Sequence, residues 1–252
     1  MATPTYVRDL KDMPGNAHNP FLIPGAKEAP RDIFLFVPNL IGYFRVIAAL
    51  ISFYYMPFSP YLAFWWYMAS ALADALDGYA ARYLKQTSRV GALLDMLTDR
   101  CATNCLIMVL GHFYPKWMVL FQSIVALDIT SHWIHMYSAM LKGTVSHKII
   151  DLAAHPLLRI YYSSRTVLFW MCAGNEVFYA ALYMLHFTSG PGIFFGWGPG
   201  LFTTLAILCT PVAVVKAGIS VIQLIAAMRN VASFDVEERA EVARTDREKS
   251  KP

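Results

Sequence analysis

The sequence predicts an all-α integral membrane protein with six transmembrane helices. Of 252 residues, 57% are hydrophobic and only 15% are charged, and the mean hydropathy is +0.43. A soluble domain is about half apolar and a quarter charged. Apolar stretches long enough to cross a bilayer core, which takes roughly 20 residues as helix, recur between polar connections. Together these observations exclude a disordered chain and argue against a soluble enzyme. A net charge of +4, with no basic stripe, gives no expectation of a nucleic-acid partner. The aromatic share of 14% suits a chain with two lipid interfaces.

The spans follow in order. Residues 1–32 carry several prolines and balanced charges and read as a disordered cytosolic tail. The expected membrane domain, 33–228, holds spans over Pro38–Met56, Tyr61–Leu84, Gly91–Phe113, Trp117–Leu141, Thr166–Phe187 and Gly200–Met228. Pro211 is a candidate kink in the last. The connections are PFSP, KQTSRV, a turn at Tyr114–Lys116, a long 142–165 loop and a Gly/Pro-rich 188–199 loop. Residues 229–252 form a charged cytosolic C-terminal tail. The basic residues of tails and loops fall on one side, with only Lys116 on the other, so both termini are expected in the cytosol. Cys101, Cys105, Cys172 and Cys209 all sit in apolar stretches without a C-x-x-C pair, and read as buried free thiols.

Spans two and three contain Asp74, Asp77, Asp95 and Asp99. Each ionised Asp near mid-membrane costs about 2.5–3.5 kcal/mol on insertion scales, so something must offset them. Asp74, Asp77, Gly78, Ala81 and Arg82 share one helix face, and Gly91, Asp95 and Asp99 form a stripe on the next. The short connection predicts antiparallel neighbours, with the carboxylates converging in the cytosolic half of the membrane. Gly78, Ala81 and Gly91 lack bulk, so a backbone or a ligand can come close. Four carboxylates match the charge of two divalent cations, and hard oxygen donors suit Mg²⁺ or Mn²⁺.

Written out, the segment is Asp74-x2-Asp77-Gly78-x2-Ala81-Arg82-x8-Gly91-x3-Asp95-x3-Asp99. It is similar, without a departure, to the signature of the CDP-alcohol phosphatidyltransferase family. FLFVPNLIGYFR (34–45), LLDMLTDRCAT (93–103), SHKIIDL (146–152), PLLRIYYSSR (156–165) and CAGNEVFY (172–179) resemble its eukaryotic phosphatidylinositol synthase branch. The resemblance covers about residues 32–234. It implies the six-helix fold of that family, commonly in a homodimer on the endoplasmic reticulum membrane, with the site facing the cytosol. It implies transfer of a phosphatidyl group from CDP-diacylglycerol to myo-inositol, giving phosphatidylinositol and CMP.

By that resemblance Asp74, Asp77, Asp95 and Asp99 hold two Mg²⁺ or Mn²⁺ ions, and Asp99 is the proposed general base, with a pure-ligand role as its rival. Gly78, Arg82 and Ser88 would contact CDP-diacylglycerol: Gly78 by close approach, Arg82 by pairing with phosphate, Ser88 from the mouth loop. Asn39, Arg45, Ala81 and Gly91 are further pocket candidates, although Arg45 can equally neutralise a neighbouring acid. Lys148, Arg159 and Arg165 belong either to an acceptor pocket or to a loop pinned on anionic headgroups. Asp128, His132 and His135 share a face of span four and read as a hydrogen-bonded network before a metal stripe. Asn175 and Glu176 read as interior contacts. Two rivals stand beside this reading. A sister enzyme could use glycerol phosphate or serine as acceptor. A metal transporter also carries intramembrane carboxylates, but the sequence has neither an internal repeat nor a broken-helix pair.

Overall fold

The computed structural model describes residues 30–142, 161, 164–194 and 197–249. Its helices are α1 (Pro30–Phe34), α2 (Val37–Tyr55), α3 (Pro60–Tyr83), α4 (Arg89–Phe113), α5 (Met118–Lys142), α6 (Arg165–Phe187) and α7 (Leu201–Lys249). Strands β1 (Gly192–Phe194) and β2 (Trp197–Gly200) form one antiparallel hairpin between α6 and α7. Most of the expected N-terminal tail, together with Lys148 and Arg159, lies outside the described residues.

Local chemistry sets the helix ends. Pro38 and Pro60 stand in the first turns of α2 and α3, where the missing N–H costs nothing. Ser88 caps α4 by accepting from the Gly91 amide at 2.9 Å. Lys85 takes a left-handed φ of 55° just past α3, and the Gln86 amide then donates to the Ala81 carbonyl at 3.0 Å. The same Gln86 accepts from the Val37 amide at 3.1 Å, which ties this turn to the start of α2.

Four stretches are long and apolar enough to cross a membrane by length and composition: Val37–Tyr55, Pro115–Leu141, Thr166–Phe187 and Leu201–Arg247. The protein is therefore a multi-pass membrane protein. Helices α3 and α4 fall short of that measure because they carry the four aspartates, with Arg82 and Arg100 besides. On α2 the two faces separate cleanly. Gly42, Arg45, Ala49 and Ser52 point inward, while Leu40, Phe44, Ile47, Leu50 and Tyr54 are exposed, as lipid-facing side chains should be.

The tight apolar core occupies one end of the bundle. It joins Met56, just past the end of α2, to Tyr67, Leu106, Leu110, Phe121 and Tyr183 from the next four helices. Polar cross-ties hold that end together: Tyr183 donates to the Met56 carbonyl at 2.9 Å and Ser52 to the Ala63 carbonyl at 2.8 Å. The opposite half contains the aspartates.

Four expectations need correction. First, α3 and α4 are not closely packed neighbours; each packs against α2, which lies between them, and they barely touch one another. Gly42 permits this arrangement, since a β-carbon there would come within 2.7 Å of Leu94 on α4. Second, the 188–199 segment contains the hairpin rather than a plain loop; a strand this short and Gly-rich leaves no alternation to read. Third, α7 does not end near Met228 but runs to Lys249. Residues 229–249 contain no Gly or Pro and several Ala, Glu and Arg, which sustain helix. It also continues through Pro211, where one backbone donor is lost. Fourth, the four cysteines are free, but none is buried, and Cys101 is exposed on α4. A lipid-facing position satisfies an apolar preference as well as a core does.

Candidate active site

The site is built around Arg45. Its side chain is 2% exposed, and its guanidinium meets all four aspartates: Asp74 at 2.7 Å, Asp77 at 2.7 Å, Asp95 at 2.7 Å and Asp99 at 2.5 Å. Asp74 and Asp77 come from α3, Asp95 and Asp99 from α4, and the guanidinium rises from α2 between them. A planar fork with five donors can do this, whereas an ammonium cannot span the same set. Ser70 of α3 donates to the Arg45 carbonyl at 3.0 Å, which fixes the backbone under the guanidinium. Both sequence readings of Arg45 find support: it neutralises the aspartates, and it lines a cavity beside them.

One guanidinium does not balance four carboxylates. Asp77 is nearly enclosed, with 12% of its side chain exposed, but Asp74, Asp95 and Asp99 keep 44%, 48% and 40%. One carboxylate oxygen from each of Asp74, Asp95 and Asp99 lies within 4.8 Å of the other two. Excess negative charge, hard oxygen donors and an open side fit a divalent cation. Among the described residues this is the only such cluster.

Two cavities that share no lining residue meet the cluster. A cavity of about 180 Å³ is lined by Asn39, Gly78, Ala81, Ser88 and Gly91 together with Asp77 and Asp95. A second, of about 320 Å³, is lined by Arg45, Tyr67, Asp74, Asp99, Glu176 and Lys216. The four carboxylates thus divide two and two between two chambers.

Seven of the sequence candidates line the smaller chamber: Asn39, Asp77, Gly78, Ala81, Ser88, Gly91 and Asp95. Ser88 lines it while its oxygen is engaged as the α4 cap. Arg82 is exposed and does not line it; its guanidinium lies over Gly78, where a β-carbon would stand 3.6 Å from both Nη atoms. Gly91 is required by crowding, because a β-carbon there would come within 2.6 Å of Asn39 Oδ1 and 3.1 Å of Ser88 Oγ. Asn39 cannot easily yield. It is 1% exposed, and its amide donates to the Ile33 carbonyl at 2.5 Å. Gly91→Ala is expected to lower stability by about 1–3 kcal/mol, the usual cost of overpacking. The midpoint of thermal unfolding in detergent checks it.

The larger chamber contains Glu176, which the sequence marked as an interior contact, and Lys216, which sequence reasoning missed. Glu176 of α6 accepts from Tyr67 at 2.5 Å, and Thr103 Oγ stands 2.7 Å from its other oxygen. Lys216 of α7 is 8% exposed, with its ammonium 3.9 Å from Cys172 Sγ. The available signal was a lone cation in an apolar span with no acid within four residues on its own helix. Beyond the chamber, Asp128 accepts from Arg100 at 2.9 Å and from Asn104 at 3.3 Å, and its carbonyl lies 2.8 Å from His132 Nδ1. Asp128 and His132 thus form part of the hydrogen-bonded network expected for span four. Arg165 begins α6.

A family model described as CDP-alcohol phosphatidyltransferase matches residues 35–188. The CDP-diacylglycerol–inositol 3-phosphatidyltransferase of Mus musculus is 52% identical over 209 residues, covering 83% of this chain and 97% of that protein. The proteins of the same name from Drosophila melanogaster and Schizosaccharomyces pombe are 46% and 43% identical, covering 88% and 82% of this chain and 94% and 93% of their own lengths. No solved structure matches.

Proposed function

This chain belongs to the CDP-alcohol phosphatidyltransferase family, and from that premise we infer that it makes phosphatidylinositol. It transfers the phosphatidyl group of CDP-diacylglycerol to myo-inositol and releases CMP. The observation that carries the reading is the division of four aspartates between two chambers. A group transfer between two substrates needs a reacting centre reachable from two pockets, and the carboxylate cluster contributes to the lining of both chambers.

In this reading the nucleotide occupies the smaller chamber and inositol the larger. Two divalent cations, Mg²⁺ or Mn²⁺, held by Asp74, Asp77, Asp95 and Asp99 would neutralise the pyrophosphate and the departing CMP phosphate. Gly78 lets the nucleotide lie against α3. Arg82, at the rim, swings from Gly78 to pair with phosphate. Ser88 keeps its hydroxyl proton for a further bond. Asp99 takes the proton as an inositol hydroxyl attacks the lipid-linked phosphorus. The bond from that phosphorus to the CMP phosphate breaks, and CMP leaves. Positioning and charge neutralisation supply most of the acceleration.

The topology assigned to this function has all of α2–α7 crossing the bilayer. The polar faces of α3 and α4 turn inward onto Arg45, so their low apolarity is no obstacle to spanning. Six crossings put both termini in the cytosol with the aspartates. The site is assigned to the cytosolic face of the endoplasmic reticulum membrane, and the enzyme to a homodimer.

The test is an acceptor panel. Purified protein with labelled CDP-diacylglycerol and Mn²⁺ or Mg²⁺ is expected to release CMP with inositol and to stay silent with glycerol phosphate or serine. Preferential release with either of the latter would move the chain to a sister activity.

A further inference from the structure

Lys216 presents an unusual electrostatic situation. It is an ammonium with 8% exposure inside a membrane bundle. Among the described residues its polar contact is a thiol at 3.9 Å, and it makes no ion pair. A buried cation without a good acceptor is costly, and an ammonium has three protons to place. The other two cations of the larger chamber are already engaged: Arg45 by the four aspartates and Arg100 by Asp128. Lys216 therefore lines that chamber with its donors available.

Glu176 complements it. Tyr67 donates to one of the Glu176 oxygens, and the Thr103 hydroxyl, which also lies 3.0 Å from the Asp99 carbonyl, stands 2.7 Å from the other. A carboxylate has about four lone-pair sites, so each oxygen can still accept from a ligand, in an orientation that the two partners fix. A vicinal polyol, with hydroxyls that both donate and accept, is the chemistry that satisfies an ammonium and a carboxylate facing one cavity. The described lining of the chamber balances in formal charge: Arg45, Arg100 and Lys216 against Asp74, Asp99 and Glu176. A volume of about 320 Å³ lies at the small end of the range for ligand pockets.

We propose that Lys216 and Glu176 are the acceptor-specificity pair of this enzyme, reading the hydroxyls of a neutral polyol and, through Glu176, rejecting a phosphorylated one. The proposal rests on the larger chamber being the acceptor site. It makes Glu176 a discriminating residue, because its charge repels an added phosphate that Lys216 alone would welcome.

The experiment measures steady-state kinetics on the full-length enzyme in detergent, with myo-inositol as varied substrate and myo-inositol monophosphate as inhibitor. Lys216→Met and Glu176→Gln are each expected to raise KM for inositol about tenfold or more, the size of a lost charge-assisted hydrogen bond. KM for CDP-diacylglycerol should stay put. Glu176→Gln should bind the monophosphate more tightly than the parent, and Lys216→Met more weakly. A residue that merely supports packing would not move inhibition in opposite directions. Ala173→Leu, which narrows the same chamber without touching a charge, separates the two levels of the argument. If it raises the inositol KM while the two charge variants leave it unchanged, the chamber is right and the pair is wrong. If none of the three changes inositol KM, the chamber assignment fails and takes the pair with it. Where a variant unfolds, equilibrium binding of labelled inositol to the conservative Lys216→Arg and Glu176→Asp replaces it. Unchanged affinity in both would overturn the proposal.

Discussion

Asp99→Asn is expected to lower kcat about 10²–10⁴-fold, the range for loss of a positioned general base. The substitution is nearly isosteric. The amide oxygen can still accept from Arg45, whose Nη2 now lies 2.5 Å from the carboxylate, so the cluster should keep its shape. What disappears is the ability to take a proton on the side of the larger chamber. The KM for CDP-diacylglycerol should therefore change little; because Asp99 is also one of the proposed metal ligands, the Mn²⁺ concentration at half-maximal rate should rise, but saturating Mn²⁺ should leave the rate low. Titration of activity with Mn²⁺ distinguishes the base from a simple ligand. If Asp99 only holds metal, the half-saturating concentration rises and high Mn²⁺ restores the rate. Asp95→Asn and Asp74→Asn serve as the comparison, because they should show that ligand behaviour.

Much of this site was readable from spacing. The i, i+3, i+4 and i+8 relations put Asp74, Asp77, Gly78 and Arg82 on one helix face, and backbone geometry alone then dictates that they move together. Gly91 could be read as a point of close approach, and the structure supplies the neighbour, Asn39. The sequence could not reveal how the two stripes meet. A short loop makes α3 and α4 sequential, but packing is decided by which surfaces fit, and α2 offers the small residues that accept both. Four carboxylates drawn together by direct α3–α4 contact would repel one another; with Arg45 between them the same approach becomes favourable. That Lys216 and Glu176 share a chamber with the aspartates was not legible for a related reason. Each lies on its own helix with no companion in the local pattern, and only the tertiary fold turns both toward Asp99. The hairpin and the long extension of α7 lie outside any amphipathic pattern that periodicity detects.

The arrangement also makes a demanding claim about Arg45. Arg45→Met replaces the guanidinium by an apolar side chain that can follow the same inward path. The four carboxylates then lose the cation that all of them share, and Asp77, the most enclosed, has the least access to water. Breaking a buried ion pair from one side costs about 3–5 kcal/mol. The low end applies here, since Asp74, Asp95 and Asp99 remain partly exposed and solvent screens them. About 3 kcal/mol corresponds to a fall of roughly 6–12 °C in unfolding midpoint for a chain of this size. The decisive measurement is the metal dependence of that midpoint in detergent. Divalent cations bind a cluster of uncompensated carboxylates and stabilise the state that holds them. Added Mn²⁺ should therefore raise the midpoint of the variant by more than it raises that of the parent. Arg45→Lys should fall between the two, because one ammonium keeps the charge but cannot reach carboxylates on both α3 and α4 at once. An unchanged midpoint in Arg45→Met, with only the KM for a substrate altered, would mean that Arg45 serves the ligand and that the aspartates are held together by something else.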